Sequence, residues 1–279
     1  MSNELIINST QDGCRIALLK EKNLVEFHND QDSDKFKVGD IYIGTVKKIV
    51  QGLNAAFIDI GYEKDAFLHY LDLGPQIKSL NKYSKQTQHS KTASGLLGKF
   101  KNEADINKLG KMSQVLTRGQ QILVQVVKEP ISTKGPRLSC ELSLAGRYMV
   151  LVPFSNTVNI SKKISESEER KRLLRLMSSI KPDNFGVIIR TVAKGKEVAE
   201  LDRDLRNLVD SWQEGMKRLH QVKPREKVIG EMSRASSILR DILNESFDSV
   251  TTDDKEIFNE VKAYINKIAP EKEKIVKQY

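Results

Sequence analysis

The sequence has few of the residues that build metal and disulfide sites. Its 279 residues include two cysteines, Cys14 and Cys140, and four histidines scattered along the chain. Two cysteines are too few for a disulfide framework, and the histidines have none of the short spacings that zinc ligands use. We therefore expect two buried thiols and no zinc site formed by these residues.

Long apolar runs are also missing. No stretch approaches the roughly 20 apolar residues of a membrane-spanning helix. Near the N-terminus, Asn3, Glu4, Asp12 and Arg15 interrupt any apolar segment, which excludes a signal-peptide pattern. We expect no membrane span and, by default, a cytoplasmic location.

Basic residues exceed acidic residues by 46 to 37, which gives a net charge of +9 and a pI near 9.3. This charge favours a polyanionic partner, with nucleic acid ahead of an anionic membrane surface. Nine of the basic residues lie in a long polar segment, residues 74–118, against only Glu103 and Asp105. Two interpretations suit this segment: a basic arm beside an RNA groove, or a disordered solubilising loop. Residues 92–100 within it are predicted to form a short helix.

Short strands with glycine bends follow residue 38. Residues 54–68 have the pattern of two strands joined by a turn at Gly61, with Phe57 on the first strand and Phe67 on the second. Further strands are predicted at 41–46, 122–127 and 137–142, and five strands at this spacing predict a small closed barrel of the oligonucleotide-binding type. Two exposed phenylalanine rings on such a sheet would stack unpaired bases. Judged from these residues alone, burial of both rings in the core is an equally good interpretation.

Helices are predicted in the second half of the chain. Apolar residues recur at helical spacing over residues 165–180, 197–221, 236–243 and 256–268. Ser165 and Glu168 form a capping-box pattern at the start of the first helix. Trp212 lies on the apolar stripe of the second helix, so we expect it in the core.

Several phrases together resemble a known family. VGDIYIGTV, NAAFIDIGYEKDAFLH and RGQQILVQVVKE resemble an S1 RNA-binding domain. AAFIDIG with DAFL, then KGPRLSCELSLAGRYMVL and VIIRTVAKGK, resemble the amino-terminal half of the ribonuclease E/G family of bacterial endoribonucleases. This resemblance implies an α+β fold, in which an S1-type OB-fold β-barrel is inserted in a ribonuclease-H-like scaffold and followed by an α/β 5′-sensor subdomain. The implied boundaries are 1–36 and 225–279 for the scaffold, 37–142 for the barrel with its basic insert 74–118, and 143–224 for the sensor.

The resemblance also implies which residues of the barrel bind RNA. Phe57 and Phe67 would stack bases, and Lys128 and Lys134 would contact phosphates. The alternative for the two lysines is an ordinary solvated side chain.

A second set of residues is implied to bind the 5′ phosphate of the RNA: Gly146, Val150, Arg190 and Thr191. Guanidinium and hydroxyl groups are suitable phosphate donors, and glycine permits close approach of the backbone to a ligand. Without the resemblance, an ion pair would be the preferred interpretation of Arg190.

The resemblance further implies cleavage of single-stranded RNA, in rRNA and mRNA processing and decay. In the family, acidic residues of a later subdomain hold Mg²⁺, and a cysteine pair beyond them holds a zinc shared between subunits. Neither feature occurs before Tyr279, so we expect the RNA-grasping and end-sensing part of such an enzyme. We expect no catalytic or metal-binding residues in it, inactivity on its own, and a homo-oligomeric full-length protein. The alternative is a stand-alone S1-domain RNA-binding regulator without nuclease activity.

Overall fold

A computed structural model describes residues 3–11, 13–31, 36–90, 95–243 and 247–279. The chain divides into two compact units, one formed by Met1–Asp34 with Met232–Tyr279 and the other by Lys35–Glu231. In chain order the strands are β1 Asn3–Thr10, β2 Gly13–Lys20, β3 Asn23–Gln31, β4 Ile41–Val50, β5 Ala55–Asp59, β6 Ala66–His69, β7 Gln121–Lys128, β8 Arg137–Ser139, β9 Leu144–Ala145, β10 Met149–Pro153, β11 Val158–Ile160, β12 Phe185–Ile189, β13 Lys227–Ile229, β14 Phe247–Thr252 and β15 Val276–Gln278. The helices are α1 Ile77–His89, α2 Ser167–Ile180, α3 Val198–Arg218, α4 Arg234–Ile242 and α5 Lys255–Ile268.

The unit that holds both ends of the chain is built on a sheet of five strands in the order β15-β14-β1-β2-β3. Strand β1 lies antiparallel to β2 and parallel to β14. Leu5 and Ile7 of β1 are buried in one apolar cluster with Leu239 of α4 and Ile265 of α5. Because burial of apolar surface dominates folding, this shared core joins the two sequence segments into one unit.

The Lys35–Glu231 unit contains the predicted barrel. Its sheet has the order β13-β4-β5-β6-β8-β7, and a further pairing of β4 with β7 closes five of these strands into a barrel. Gly44 lies inside this barrel, where a Cβ atom would stand 2.4 Å from Ile58 Cγ2. Glycine is therefore required by close packing at this position. The α+β class and the closed oligonucleotide-binding-type barrel are confirmed.

A second sheet in the same unit has the strand order β11-β12-β10-β9. Helix α3 contacts β9 and β10, and its apolar stripe is buried, with Trp212 fully enclosed. The core position predicted for Trp212 is confirmed. The barrel and this second sheet share one continuous apolar cluster.

The described part of the basic segment 74–118 folds onto the core of this unit. Helix α1 buries Ile77, Leu80 and Tyr83, and Leu97 is buried beyond it. A disordered loop is therefore the wrong interpretation of these described residues. The apolar positions of α1 are few and lie among lysines and glutamines, which is why the sequence did not predict it.

The helix predicted over 92–100 is wrong where the structure describes it. Residues 91–94 lie outside the described residues, and residues 95–100 are not helical. Gly95 has φ +71°, a left-handed conformation that a right-handed helix does not contain. The capping box at Ser165 and Glu168 is also wrong, because α2 begins with Glu166 as its N-cap residue.

Within the described ranges, the chain has no helix of the length and apolar character that crossing a bilayer requires.

Candidate nucleic-acid interface

Phe57 and Phe67 lie opposite each other on the antiparallel strands β5 and β6. Their rings meet edge to face, with centroids 5.9 Å apart and planes at 70°. Both side chains are partly exposed, while Ile58 and Leu68 point into the barrel core. Neither phenylalanine belongs to the apolar clusters that the described residues form. The rings therefore lie on the outer surface of the barrel.

Strand pairing extends this pair into a row across all five barrel strands. Lys48 of β4 lies opposite Phe57, and on the other side Arg137 of β8 lies opposite both Phe67 and Lys128 of β7. Residues directly opposite one another share a face of the sheet. We call Lys48–Phe57–Phe67–Arg137–Lys128 the cross-strand row. Its four strand spacings of about 4.8 Å give a path of roughly 19 Å, measured around the barrel surface.

The three cations of the cross-strand row are exposed. Arg137 is held in place by Asp72, whose Oδ2 accepts a hydrogen bond from Nε at 3.1 Å and whose Oδ1 accepts one from Nη2 at 3.2 Å. This bidentate geometry fixes the plane of the guanidinium better than a single contact would. Two aromatic rings thus lie between a lysine at one end and a pair of cations at the other.

Lys134 lies outside the cross-strand row, in the β7–β8 connection, and is exposed. This connection approaches β6 closely, because the Phe67 N–H donates to the Pro136 carbonyl oxygen at 2.8 Å. A Cβ atom on Gly135 would lie 2.4 Å from the Asp65 carbonyl oxygen, so glycine permits the approach. Lys134 is thereby carried close to the Phe67 end of the ring pair.

The turn between β5 and β6 is fixed by Asp59. Its carboxylate accepts the Gly61 N–H at 3.1 Å and forms ion pairs with Lys47 at 3.1 Å and Arg225 at 2.7 Å. Burial acts to raise the pKa of Asp59, but the Gly61 N–H and the two cations outweigh it and hold that pKa below its usual range. The charged carboxylate therefore stabilises the turn that presents the two rings.

Gly146 and Arg190 meet at the turn between β9 and β10. Arg190 Nη1 donates to the Gly146 carbonyl oxygen at 2.9 Å, and the Arg190 backbone N–H donates to the Tyr148 carbonyl oxygen at 2.8 Å. Thr191 follows in the chain, and its hydroxyl lies 3.0 Å from that of Ser161. At the end of β12 the Arg190 guanidinium therefore contacts the β9–β10 turn, while the Thr191 hydroxyl contacts Ser161, which follows β11.

Val150 lies on the outer face of the second sheet. It pairs with Ile188 of β12, and alternation along β12 places Arg190 on the same face as Ile188. The four residues that the resemblance assigned to the 5′ phosphate are therefore brought to one end of the β10–β12 pair.

Helix α3 holds this turn through buried Asp204. The carboxylate accepts the backbone N–H of Tyr148 at 2.8 Å and that of Arg147 at 3.1 Å. Burial raises the pKa of Asp204, although the backbone donors act to lower it. A Cβ atom on Gly146 would lie 2.6 Å from the Asp204 Oδ2 atom. Glycine at position 146 therefore leaves room for the Asp204 carboxylate. The sequence did not predict this constraint.

Sequence reasoning missed several cations beside these residues. Lys48 and Arg137 enter the cross-strand row through strand register, which local patterns do not specify. At the second sheet, the Arg147 guanidinium carbon lies 5.0 Å from the centroid of the Tyr148 ring, and Lys196 Nζ lies 5.9 Å from it. Their positions depend on the turn held by α3.

No three His, Cys, Asp or Glu side chains among the described residues converge in a way that could hold a metal ion. Cys14 and Cys140 form no disulfide. Cys140 is buried, as expected, and burial strongly raises its pKa, whereas Cys14 is only partly buried. The described residues therefore do not fit the Mg²⁺ or the zinc of the resembled family, and we assign neither metal to them.

The fold and these surfaces define an α+β protein built around a closed oligonucleotide-binding-type barrel with an aromatic pair on its outside. The profile of the Ribonuclease E/G family matches residues 143–279. Ribonuclease G of Haemophilus influenzae is 34% identical over 268 residues, which are 96% of this chain and 51% of that protein. Ribonuclease G of Escherichia coli K12 is 32% identical over 271 residues, 97% of this chain and 52% of that protein. Ribonuclease E of a Nostoc species is 31% identical over 230 residues, 82% of this chain and 30% of that protein.

The chain belongs to the ribonuclease E/G family, as the resemblance predicted. It spans about half the length of the ribonucleases G that it matches.

Proposed function

We propose that the chain binds single-stranded RNA along the cross-strand row and supplies RNA recognition to an endoribonuclease of the ribonuclease E/G family. The observation that supports this function is the row itself, in which two adjacent, partly exposed rings lie between cations on the outer surface of the barrel. Bases stack on Phe57 and Phe67, while phosphates of the same strand contact the lysine and arginine side chains of the row. Lys134 adds a further phosphate contact beside the rings.

The rings select single strands over duplexes. A base offers its flat face to a protein ring only when it is unpaired and unstacked, as in single-stranded RNA. Stacking contacts and phosphate contacts carry little sequence information. The interface therefore tolerates many sequences, which suits a general RNA-binding surface.

The second part of the proposal concerns the end of the RNA. Gly146, Val150, Arg190 and Thr191 form a pocket for a 5′ monophosphate, with the guanidinium and the threonine hydroxyl as donors. The hydrogen bond of Arg190 to the Gly146 carbonyl oxygen supports this role, because it fixes the position of the guanidinium.

The relatives named ribonucleases support RNA cleavage as the activity of the whole protein. A hydrolytic reaction, a cytoplasmic location and a role in rRNA and mRNA processing and decay belong to the same proposal. Mg²⁺ dependence and homo-oligomer formation are part of the same proposal. The residues named above for the cross-strand row and the 5′-phosphate pocket bind and orient RNA. No catalytic step is assigned to them. A stand-alone RNA-binding regulator has no observation in its favour beyond the barrel.

The RNA-binding function is tested by fluorescence-anisotropy titration of the chain with a labelled single-stranded RNA and with the matching duplex at several salt concentrations. We expect tighter binding of the single strand. Lys48→Ala should lower the slope of log affinity against log salt by about 0.7, the value for one phosphate contact on a single strand. Lys171→Ala, which removes the same charge from exposed α2, is the control and should change the slope less. Equal affinity for duplex and single strand would contradict the proposal.

The end-sensing function is tested with oligonucleotides that carry a 5′ phosphate or a 5′ hydroxyl. The phosphorylated RNA should bind about 10-fold tighter to the wild type, a size typical of hydrogen bonds to charged groups, and Arg190→Ala should abolish this ratio. Arg175→Ala removes an exposed arginine from α2 and should preserve it. A ratio that Arg190→Ala leaves intact would rule out this pocket.

A further inference from the structure

Helix α1, in the basic segment 74–118, carries its positive charge on one face. Lys78, Lys82, Lys85 and His89 follow one another at spacings of four, three and four residues, which place side chains on the same side of a helix. At 3.6 residues per turn, the residues that α1 buries lie on the opposite side. We call Lys78, Lys82 and Lys85 the lysine stripe, which is roughly 10 Å long at 1.5 Å per residue.

We propose that the lysine stripe is a second RNA-binding surface, which contacts phosphates of RNA that extends beyond the cross-strand row. The inference rests on the proposed RNA-binding function and adds a second surface to it.

The stripe has a fixed position in the Lys35–Glu231 unit, because the opposite side of α1 is packed in the core. The Tyr83 ring contacts the rings of Phe100, Phe154 and Trp212, with centroids 5.4 to 6.2 Å apart. Side chains presented by a rigid element lose less conformational freedom on binding than those of a flexible arm. The three lysines are therefore pre-organised along one line.

An acidic side chain, Glu103, lies beside the stripe. Its backbone N–H donates to Ser79 Oγ at 2.8 Å, and Lys82 Nζ lies 2.5 Å from its carboxylate. The Lys82 ion pair holds the pKa of Glu103 below its usual range, and the charges of Lys78 and Lys101 act in the same direction. Three lysines thus act on one carboxylate, which leaves this surface with a net positive charge that attracts phosphate.

The stripe suits phosphates better than bases or lipid. The aromatic ring of α1, that of Tyr83, is buried, so α1 has no ring on which a base could stack. A helix that lies in a membrane surface inserts its apolar face into lipid, but the apolar face of α1 is packed in the core. Lysine contacts to phosphate need neither feature. The stripe is therefore expected to bind the RNA backbone without regard to sequence.

The path of the chain brings the stripe close to the cross-strand row. Arg137 of the row is bonded to Asp72, and Lys78 follows Asp72 by six residues. Six residues of extended chain span at most about 21 Å, which is similar to the length of the row. Helix α1 also contacts β7, the strand that carries Lys128. An RNA that fills the row and continues past Arg137 by a similar length can therefore reach the stripe.

The test compares two single-stranded RNAs of different length by anisotropy titration at several salt concentrations. An RNA of about 5 nucleotides is near the lower limit of roughly 4 for one OB fold and covers the row alone, whereas an RNA of about 20 nucleotides also reaches the stripe. The variant Lys78→Ala/Lys82→Ala/Lys85→Ala should lower the slope of log affinity against log salt by about 2 for the long RNA, at about 0.7 for each phosphate contact. It should leave the slope for the short RNA unchanged.

Helix α5 supplies the matched control, Lys255→Ala/Lys262→Ala/Lys267→Ala. This variant also removes three lysines from one helix, and one of them is ion-paired, because Lys262 Nζ lies 3.3 Å from the Glu273 carboxylate. It should keep the slopes of the wild type for both RNAs.

Circular dichroism checks that the stripe variant is folded. If it is not, the double variant Lys78→Ala/Lys85→Ala replaces it, because this change leaves the ion pair of Lys82 with Glu103 intact. The double variant should lower the slope for the long RNA by about 1.4.

Three outcomes would overturn the inference. The first is an unchanged slope for the long RNA in the folded stripe variant. The second is an equal decrease for the short RNA, which would place these lysines at the row itself. The third is loss of binding to phosphatidylglycerol vesicles with unchanged RNA slopes, which would identify a lipid surface. In each case the wild type still binds the short RNA, whereas a wild type that does not bind it would indicate failure of the proposed function.

Discussion

The double variant Phe57→Ala/Phe67→Ala is expected to bind single-stranded RNA about 100-fold more weakly than the wild type while remaining folded. Removal of one stacking ring costs roughly 1–3 kcal/mol, and each 1.4 kcal/mol is tenfold in affinity. Because the two rings contact each other at 5.9 Å between centroids, their effects are coupled and need not add. Each single variant should lose about 10-fold. The measurement is anisotropy titration with the RNA used for the wild type.

The fold should tolerate this change, since both rings are only partly buried on the barrel surface. Phe27→Ala supplies the matched control, because Phe27 is an exposed aromatic residue on a strand of the other unit. That variant should keep the RNA affinity of the wild type. If the double variant is folded and binds RNA normally, the cross-strand row is not the RNA site. If it is unfolded, the rings act chiefly in stability.

Trp212→Ala is expected to lower the free energy of unfolding by about 3–5 kcal/mol, the range for a buried aromatic residue. The indole is fully buried, with ring centroids of Tyr83, Phe154 and Phe185 at 6.0 to 6.3 Å. Its Nε1–H donates to the Gly95 carbonyl oxygen at 3.1 Å. Removal leaves a cavity among these rings and an unpaired carbonyl. A loss of this size is a large part of the roughly 5–15 kcal/mol that stabilises a typical domain.

Urea denaturation followed by far-UV circular dichroism measures this loss, because Trp212 is the only tryptophan and its removal also removes the fluorescence signal. Trp212→Phe retains an aromatic ring without the N–H donor, and should lose about 1–2 kcal/mol. Equal losses for the two variants would show that the hydrogen bond, rather than the packing of the ring, dominates at this position.

The barrel was predictable because its information is local. In residues 54–68, side chains that face the core alternate with side chains that face outward, and Gly61 marks the turn. This pattern predicts two strands without any information from distant residues. The cross-strand row was not predictable, because Lys48 and Arg137 join it through long-range pairing. Register shifts next to Lys48 and Lys128 change which residues lie opposite each other, and a shift of one residue reverses the face of every side chain.

The residues proposed for the phosphate pocket came from the resemblance rather than from local chemistry. The local sequence does not distinguish Arg190 from an ordinary surface arginine. Nothing near it in the sequence predicts its hydrogen bond to the Gly146 carbonyl oxygen. The constraint on Gly146 comes from Asp204, 58 residues further along the chain by residue number. Such contacts depend on helix α3 packing against β9 and β10, which a sequence pattern does not determine.

The pairing of β1 with β14 has a consequence during translation. Ile7 pairs with Thr252, so the ribosome must add 245 further residues after Ile7 (252 − 7) before β1 gains this neighbour. At about 5–20 residues per second, β1 to β3 wait for tens of seconds with one edge unpaired. The intervening Lys35–Glu231 unit has all its strands and can fold during that interval. Strand β1 therefore leaves the ribosome long before it gains β14 as a neighbour, and this delay is when the nascent chain most needs protection from aggregation.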